Sequence, residues 1–404
     1  MYGRHQLSLL FIFLPTFNST IIMKLCIVIA SAAMASAITL QPPLGKYGVA
    51  TSVMELVDTS RNDHYAPKQE HRRIMVSAYY PATSLKNCQP LTVPYMPPAT
   101  AAVHDTMYAD FGISNGTFGS FQLSTCAFNR KDRSRGSTKF PIALFSPGLG
   151  NTRLMYGAMA QSFASQGFVV ITMDHPYDAA IVEYSEKSIA LAANISTDAE
   201  IEKNLYVRRQ DVSFIIDKLH DCSIRQTLFH DIADTKSLNK ILMFGHSLGG
   251  ATAAAAMQTD HRIAAGVNMD GRFFDSSMPN NTSSPFMIMS REGHNITSDP
   301  TWTPAWSKFT GTKLFVSLNN FTHGTFTDLP LLADALGTPG SEYEVIGDIL
   351  GAVEGKRADE IVNGFVGQFF DFVRGVSKDL LPRNMTMEFP EAVVLDKQIR
   401  KQCN

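Results

Sequence analysis

The chain has 404 residues, of which 45% are hydrophobic and 18% are charged, and its formal net charge is −2. This composition is typical of a globular protein with room for one large domain or two ordinary ones, and it excludes a disordered chain. Because the charge is close to neutral, the chain lacks the basic balance typical of nucleic-acid-binding proteins, and we expect no nucleic-acid partner.

The amino terminus has the pattern of a targeting segment. A lysine precedes the apolar stretch at residues 25–33, and small residues follow it where a signal peptidase would cut. We therefore predict cleavage after Ala37 and a secreted, extracellular protein. An earlier apolar run at residues 7–14 leaves two explanations open: translation starts at Met23, or residues 1–37 form one long leader. A membrane anchor is disfavoured, because a proline and polar residues interrupt the apolar stretch before it reaches the length of a bilayer span.

Four cysteines remain after that cleavage, and an even number in an oxidising compartment predicts two disulfides. We favour the pairs Cys88–Cys126 and Cys222–Cys403, although the sequence does not fix the connectivity. The cysteines are too scattered for a metal site, and we expect no metal and no cofactor.

N-glycosylation sequons are dense enough to indicate a glycosylated exterior. They begin at Asn115, Asn194, Asn280, Asn281, Asn295, Asn320 and Asn384.

The first part of the predicted mature chain contains two strands and a long excursion. Residues 49–57 and 74–80 are rich in β-branched and aromatic side chains, which predicts strands. Residues 84–138 are rich in Pro, Thr, Ser and Asn and are predicted to form an irregular surface excursion. Within the excursion, residues 93–111 are apolar and aromatic. They either cover a site or touch lipid, or they form an ordinary packed loop.

From residue 140 onwards, short apolar strands alternate with helical stretches, which predicts an α/β fold: a mostly parallel sheet with helices on both faces. The predicted strands are residues 142–145, 168–172, 241–244, 263–269, 286–289 and 314–318, and the predicted helices are residues 153–165, 199–219, 251–257 and 358–376. We predict one catalytic domain over residues 38–404, ending in a solvated tail near residues 397–401.

The most informative motif is Gly-His-Ser-Leu-Gly-Gly at residues 245–250. It lies directly between a predicted strand and a predicted helix, where Gly-x-Ser-x-Gly forms the sharp turn called a nucleophile elbow. A serine displayed there, Ser247, is a nucleophile that needs a base. The alternative is a glycine-rich loop with an incidental serine.

The acid that orients such a base is expected at the end of a strand after the serine, since the order along the chain in these folds is serine, acid, histidine. Asp270 directly ends the predicted strand 263–269 and is favoured. The other aspartates after the serine do not directly end an apolar run. They include Asp275, Asp299 and Asp328.

The base is expected to be a histidine at the same edge of the sheet. His323 follows the last predicted strand and is favoured. His294 lies several residues beyond its strand in a polar loop, His246 lies inside the elbow, and His261 precedes its strand at the wrong edge.

Two backbone N–H groups are needed to stabilise the negative oxygen of the tetrahedral intermediate. One is predicted to come from Leu248, which follows the nucleophile. The other is predicted to come from Leu149, in the glycine-rich loop at residues 146–150 that follows an earlier strand. Pro147 in that loop has no N–H to donate.

These blocks together resemble the plasma-type platelet-activating-factor acetylhydrolase family, which are secreted α/β-hydrolase phospholipases A2 that need no calcium. The blocks are residues 144–150, 164–170 and 245–250, and residues 269–271 with residues 321–324. The resemblance implies an α/β-hydrolase fold and hydrolysis of the short sn-2 acyl ester of a phospholipid such as 1-alkyl-2-acetylglycerophosphocholine. It assigns Ser247, Asp270 and His323 as the triad and Leu149 and Leu248 as the oxyanion donors.

Two departures from the family pattern leave the acyl and headgroup preference open: Pro147 stands where animal members commonly have His, and Leu248 where they commonly have Phe. The expected partner is a phospholipid or small ester, with transient contact to a lipid surface. Two alternatives remain from the sequence. One is a cutinase-like or general carboxylesterase, which uses the same elbow. The other is a catalytically dead hydrolase-fold binding protein.

Overall fold

A computed structural model describes residues 37–43, 45–84, 88–128, 139–337 and 344–400. The strands are β1 Ile38–Thr39, β2 Tyr47–Asn62, β3 His71–Ser84, β4 Pro90–Pro94, β5 Phe121–Cys126, β6 Ile142–Ser146, β7 Val169–Met173, β8 Ile181–Glu183, β9 Ile189–Leu191, β10 Ile241–His246, β11 Ile263–Met269, β12 Phe286–Arg291, β13 Lys313–Leu318 and β14 Ala392–Gln398. The α-helices are α1 Pro98–Met107, α2 Thr117–Ser120, α3 Gly157–Ser165, α4 Asp198–Leu219, α5 Cys222–Phe229, α6 Leu248–Thr259, α7 Trp302–Lys308, α8 Leu329–Ala335, α9 Glu344–Leu350, α10 Gly355–Val373 and α11 Met385–Glu388.

One nine-stranded sheet organises the chain, in the order β14-β13-β12-β11-β10-β6-β7-β3-β2. The six strands from β13 to β7 pair in parallel, while β14, β3 and β2 join antiparallel. The predicted fold class, a mostly parallel α/β sheet with helices on both faces, is confirmed. The parallel arrangement brings the carboxyl ends of β6, β10, β11, β12 and β13 to one edge, where sites form in such sheets.

The central strands are buried on both sides, and their alternate residues enter two different cores. Phe145 and Phe244 lie in a core with α3 and α10, whereas Leu144 and Met243 lie in a core with α4 and α6. This double burial explains why these strands read as continuous apolar runs in the sequence.

The prediction that residues 84–138 form an irregular excursion was wrong for the part of it that the structure describes, residues 88–128. Its described part contains α1, α2, β4 and β5, and a small sheet has the order β1-β5-β4. Tyr95 and Phe121 are buried in the same core as α3. The Tyr95 hydroxyl also donates to Asp328 Oδ2 over 2.9 Å, and the Asp328 carboxylate accepts the N–H groups of Ala158 and Met159 near the start of α3. The described part of the excursion is therefore packed against the core that contains α3, and residues 93–111 include the buried helix face of α1.

The predicted tail at residues 397–401 is exposed over its described residues 397–400, but its first two residues belong to a strand, which was not predicted. Residues 392–398 form β14, an edge strand that pairs with β13, and Lys397 lies opposite Leu314. The basic residues of the segment hid the strand, because an edge strand with one exposed face tolerates charged side chains.

The predicted disulfide Cys88–Cys126 is confirmed, with the two Cα atoms 5.3 Å apart. Cys222 is exposed and has no disulfide partner among the described residues. Its predicted partner, Cys403, lies outside the described residues, as do residues 1–36 of the predicted leader. In the part of the chain that the structure describes, every helix is too short or too polar to cross a bilayer.

Removal of the Cys88–Cys126 bond is expected to lower the free energy of unfolding by about 2–4 kcal/mol, because the bond restricts the unfolded chain. The two cysteines are separated by 38 positions in the sequence. Urea unfolding of the Cys88→Ser/Cys126→Ser variant measures the effect, and equal unfolding free energies in variant and parent would contradict it. Cys222→Ser, measured in parallel, tests the second predicted pair.

Candidate active site

The serine of the elbow lies between β10, which ends at His246, and α6, which begins at Leu248. Ser247 has φ 54° and ψ −123°, a conformation that non-glycine residues rarely adopt and that is typical of a strained functional turn. The turn is possible because its neighbours lack side chains. A Cβ on Gly249 would lie 1.9 Å from the Ser146 carbonyl oxygen, and one on Gly245 would lie 2.3 Å from the Gly249 backbone.

Asp270 follows β11 directly and also has a positive φ, 57°. It is 2% exposed, and its carboxylate is fully engaged. Oδ2 lies 2.6 Å from His323 Nδ1, and Oδ1 lies 2.6 Å from His294 Nδ1. The Arg291 N–H donates to Oδ1 over 3.2 Å, and Arg291 Nε lies 3.3 Å from Oδ2. Burial alone would raise the pKa of Asp270, but the hydrogen bonds and charges of the two imidazoles outweigh it and hold that pKa well below its usual range.

His323 is placed by the loop after β13, with its side chain 34% exposed. Its ring lies 4.4 Å from the ring of His246, centroid to centroid, and thus beside the residue that precedes the nucleophile. The acid and the base predicted from the sequence are therefore in direct contact. The Ser247 hydroxyl makes no hydrogen bond to any described residue, so its link to His323 stays a prediction. In unliganded enzymes such bonds are often long and tighten only when substrate binds.

His246 lies between the His323 ring and Tyr156. Its Nδ1 lies 2.9 Å from the Tyr156 hydroxyl, which also accepts the N–H of Gly148 over 3.2 Å. Burial, together with a neighbouring imidazole, lowers the pKa of His246 well below its usual value, so this ring is neutral at physiological pH. A neutral His246 adds no charge beside His323.

The loop at residues 146–150 lies directly against the nucleophile. A Cβ on Gly148 would lie 3.3 Å from Ser247 Cβ, so the absence of a side chain there lets the two backbones approach. The Gly148 N–H is used by Tyr156, whereas the Leu149 N–H has no acceptor among the described residues. Leu248 is the first residue of α6, where helical N–H groups have no partner within the helix. Neither predicted oxyanion donor thus has an acceptor in the part of the chain that the structure describes; Leu248 directly follows Ser247, and Leu149 directly follows Gly148, which contacts Ser247.

Comparisons with known proteins identify the family of the chain. The sequence profile of the family described as platelet-activating factor acetylhydrolase, isoform II, matches residues 66–338, well over half of the chain. The chain belongs to this family. It is an ester hydrolase.

Relatives with named activities extend over different shares of the chain. A probable 1-alkyl-2-acetylglycerophosphocholine esterase of Arthroderma benhamiae is 29% identical over 399 residues, which cover 92% of this chain and 98% of that protein. The platelet-activating factor acetylhydrolase of Canis lupus familiaris is 28% identical over 173 residues, 37% of this chain and 39% of that protein. Among solved structures, a ferulic acid esterase from Streptomyces cinnamoneus is similar with a TM-score of 0.73 and 26% identity, covering 90% of this chain and 100% of that one.

In this member of the acetylhydrolase family, a network of buried charged side chains contacts the loop at residues 146–150 from the protein interior. Arg208 Nη1 donates to the Pro147 carbonyl over 2.7 Å, and its guanidinium also binds both carboxylate oxygens of Asp178. His175 Nε2 lies 3.0 Å from Ser146 Oγ, and its Nδ1 lies 2.9 Å from Asp211 Oδ2. The network fixes the loop that carries the Leu149 N–H.

Sequence reasoning missed this network and also missed the position of His294. Arg208 and Asp211 lie in α4, where charged residues ordinarily indicate a solvated helix face, yet both are fully buried. His294, which the sequence favours less than His323 as the base, binds the same carboxylate as His323. The available signal was that a histidine follows each of two neighbouring strands, β12 and β13, and that β12 adjoins β11, the strand directly before Asp270.

Among the described residues, no group of three His, Cys, Asp or Glu side chains is placed to hold a metal ion.

Proposed function

We propose that this ester hydrolase removes the short sn-2 acyl group of a phospholipid of the 1-alkyl-2-acetylglycerophosphocholine type, through Ser247, His323 and Asp270. The observation that carries the proposal is the 2.6 Å contact between His323 Nδ1 and Asp270 Oδ2, at the sheet edge that also displays Ser247. The names of the fungal and canine relatives support the substrate class.

The first half of the reaction forms an acyl-enzyme. His323 Nε2 takes the proton of Ser247 Oγ while that oxygen attacks the ester carbonyl carbon. Asp270 accepts from Nδ1, which fixes the imidazole tautomer with its free lone pair on Nε2 and stabilises the imidazolium that forms. The tetrahedral intermediate collapses, the imidazolium gives its proton to the departing glycerol oxygen, and the lyso-lipid leaves.

The second half restores the enzyme. A water molecule gives a proton to His323 Nε2 and attacks the acetyl-Ser247 carbonyl. Collapse of the second tetrahedral intermediate releases acetate and returns the proton to Ser247. In both halves, the N–H groups of Leu149 and Leu248 donate to the oxyanion, and the buried Arg208–Pro147 contact keeps the first of these donors in place.

Apolar contacts to the substrate are expected from a small cluster beside these donors. Leu149 and Leu248 pack in one apolar cluster with Phe274. A cluster that begins at the oxyanion donors is suited to a short acyl group, because the carbonyl oxygen and the adjoining methyl would meet the donors and the cluster together.

We also propose that the protein is secreted and glycosylated. The Cys88–Cys126 disulfide is typical of an oxidising compartment. Six of the seven sequon asparagines are exposed, and Asn295 is half-buried. We expect Asn320 to stay unmodified, because a glycan three residues before His323 would stand at the rim of the site.

The test is a substrate panel with the purified mature chain. A choline phospholipid with a 2-acetyl group is expected to be hydrolysed at least 10-fold faster than one with two long chains. Equal rates on both phospholipids, or activity confined to other esters, would contradict the proposal. The resemblance to a ferulic acid esterase over 100% of that chain favours a general carboxylesterase as the second candidate, so the panel includes a feruloyl ester, a short nitrophenyl ester and a polyester film.

A fluorophosphonate probe separates both candidates from a dead site. Labelling of Ser247 is expected, since the probe reacts with serines that an adjacent base activates. A chain that binds esters without labelling would instead be a binding protein.

A further inference from the structure

The Asp270 carboxylate holds two imidazoles, one on each oxygen, and only one of them is placed to act as a base. His323 is 34% exposed at the sheet edge, whereas the His294 side chain is 8% exposed. His294 Nε2 lies 3.1 Å from Asp299 Oδ2, and the Trp302 ring covers the imidazole at 4.0 Å between centroids. Because carboxylates engage both of its nitrogens, His294 has no free nitrogen to accept a proton from the nucleophile.

We propose that His294 is a positioning residue for the hydrolysis: as an imidazolium that bridges Asp270 and Asp299, it fixes the Asp270 carboxylate and offsets part of the negative charge that His323 experiences. The proposal rests on the proposed triad, in which Asp270 orients His323. His294 touches neither Ser247 nor the reacting atoms, and it acts through Asp270.

The hydrogen-bond geometry requires the positive charge. A neutral imidazole has one N–H and one acceptor nitrogen, and an ionised carboxylate only accepts. A ring that binds carboxylate oxygens through both nitrogens must therefore donate from both, which only the imidazolium can do. Burial opposes this charge, but the hydrogen bond and charge of Asp270 and the hydrogen bond to Asp299 outweigh it and raise the pKa of His294 to about 9.

The charges around the ring balance. Asp270 at the end of β11 and Asp299 before α7 are negative, while His294 and Arg291, which ends β12, are positive. His323 from the loop after β13 completes the group. Arg291 contacts Asp270 Oδ2, the oxygen that also binds His323. Like the charge of His294, the positive charge of Arg291 opposes protonation of His323. Loss of the His294 charge would leave a surplus negative charge beside His323, which would then take up a proton more readily.

His294→Asn tests the charge while keeping a donor near Asp270, because the Asn amide nitrogen occupies nearly the position of Nδ1. Hydrolysis of p-nitrophenyl acetate is followed between pH 4 and pH 10, because this ester reports the triad whatever the phospholipid preference. We expect kcat to fall about 10-fold with KM within about twofold, and the acidic limb of the kcat/KM profile to move up by about half to one pH unit. His261→Asn, at an exposed histidine remote from the sheet edge, is the matched control and is expected to leave both unchanged.

A folded His294→Asn enzyme with an unshifted acidic limb would overturn the proposal. Ser247→Ala serves as the blank. If this variant hydrolyses the ester, the proposed triad is wrong, and the result contradicts the proposed function rather than the role of His294.

His294→Gln, whose amide reaches toward Asp299, is the second variant if the first does not fold. If neither folds, ¹⁵N NMR of the histidine-labelled parent chain decides the matter. One imidazole is expected to keep both nitrogens protonated until the pH approaches about 9. Deprotonation of every imidazole below pH 8 would overturn the proposal.

Discussion

Ser247→Ala is expected to lower kcat by about 10⁴-fold or more while leaving the fold intact. The substitution removes Oγ, the atom that attacks the ester, and no neighbouring side chain in the described elbow can replace it. The oxyanion donors and the substrate contacts survive, so a small residual activity over water is expected.

The stability of the Ser247→Ala variant should be close to that of the parent chain. The Ser247 hydroxyl makes no hydrogen bond to a described residue, so its removal leaves no partner unpaired, and alanine keeps the same Cβ at the same positive φ. We expect the free energy of unfolding to change by less than about 0.5 kcal/mol. Ser185→Ala, in the exposed turn between β8 and β9, is the matched control and should keep full activity. Near-normal hydrolysis of the acetyl phospholipid by Ser247→Ala would remove the basis of the assignment.

Asp270→Asn is expected to lower kcat by about 10³- to 10⁴-fold, because an amide cannot accept from two imidazoles as a carboxylate does. One oxygen can still accept from His294 Nδ1, but the amide N–H₂ would then face His323 Nδ1. His323 would turn to the tautomer with its proton on Nε2, which cannot take the proton of Ser247. The loss should appear in kcat with little change in KM.

The control for this variant is Asp275→Asn, the same chemical change at an exposed aspartate in the segment after β11. Steady-state hydrolysis of the acetyl phospholipid should distinguish the two variants by at least a factor of 100. If Asp275→Asn were the inactive variant and Asp270→Asn the active one, another carboxylate would have to orient His323.

The parts of the site that could be predicted are those whose signals are local in the sequence. The elbow is a strand, a tight turn and a helix within about 20 consecutive residues, and the need for Gly245 and Gly249 follows from backbone crowding alone. Asp270 could be identified because it follows a strand without an intervening residue. The choice of His323 depended on a general rule of order along the chain, which the contact with Asp270 supports.

The parts that could not be predicted depend on contacts between distant segments. The sequence places His294 after a strand, but it does not show that its ring would reach Asp270, 24 residues earlier. The buried charges of α4 are paired with groups in distant segments, since Arg208 binds Asp178 and the Pro147 carbonyl, and Asp211 binds Arg72 and His175. Their pattern along the helix therefore resembles that of an ordinary solvated surface. The elements of the excursion are hard to predict for another reason: Pro, Ser and Asn are typical of irregular chain, yet Pro98 is the first residue of α1, where proline is tolerated.

The attachment of the loop at residues 146–150 from its buried side has a consequence for how substrate preference can change. In the proposed mechanism, main-chain groups hold the oxyanion, and the position of one of them, the Leu149 N–H, depends on Arg208, Asp178 and His175 inside the protein. The side chains of Leu149 and Leu248, in contrast, lie in a separate apolar cluster. Evolution or engineering can therefore exchange these two side chains to suit new acyl groups without rebuilding the apparatus that lowers the barrier.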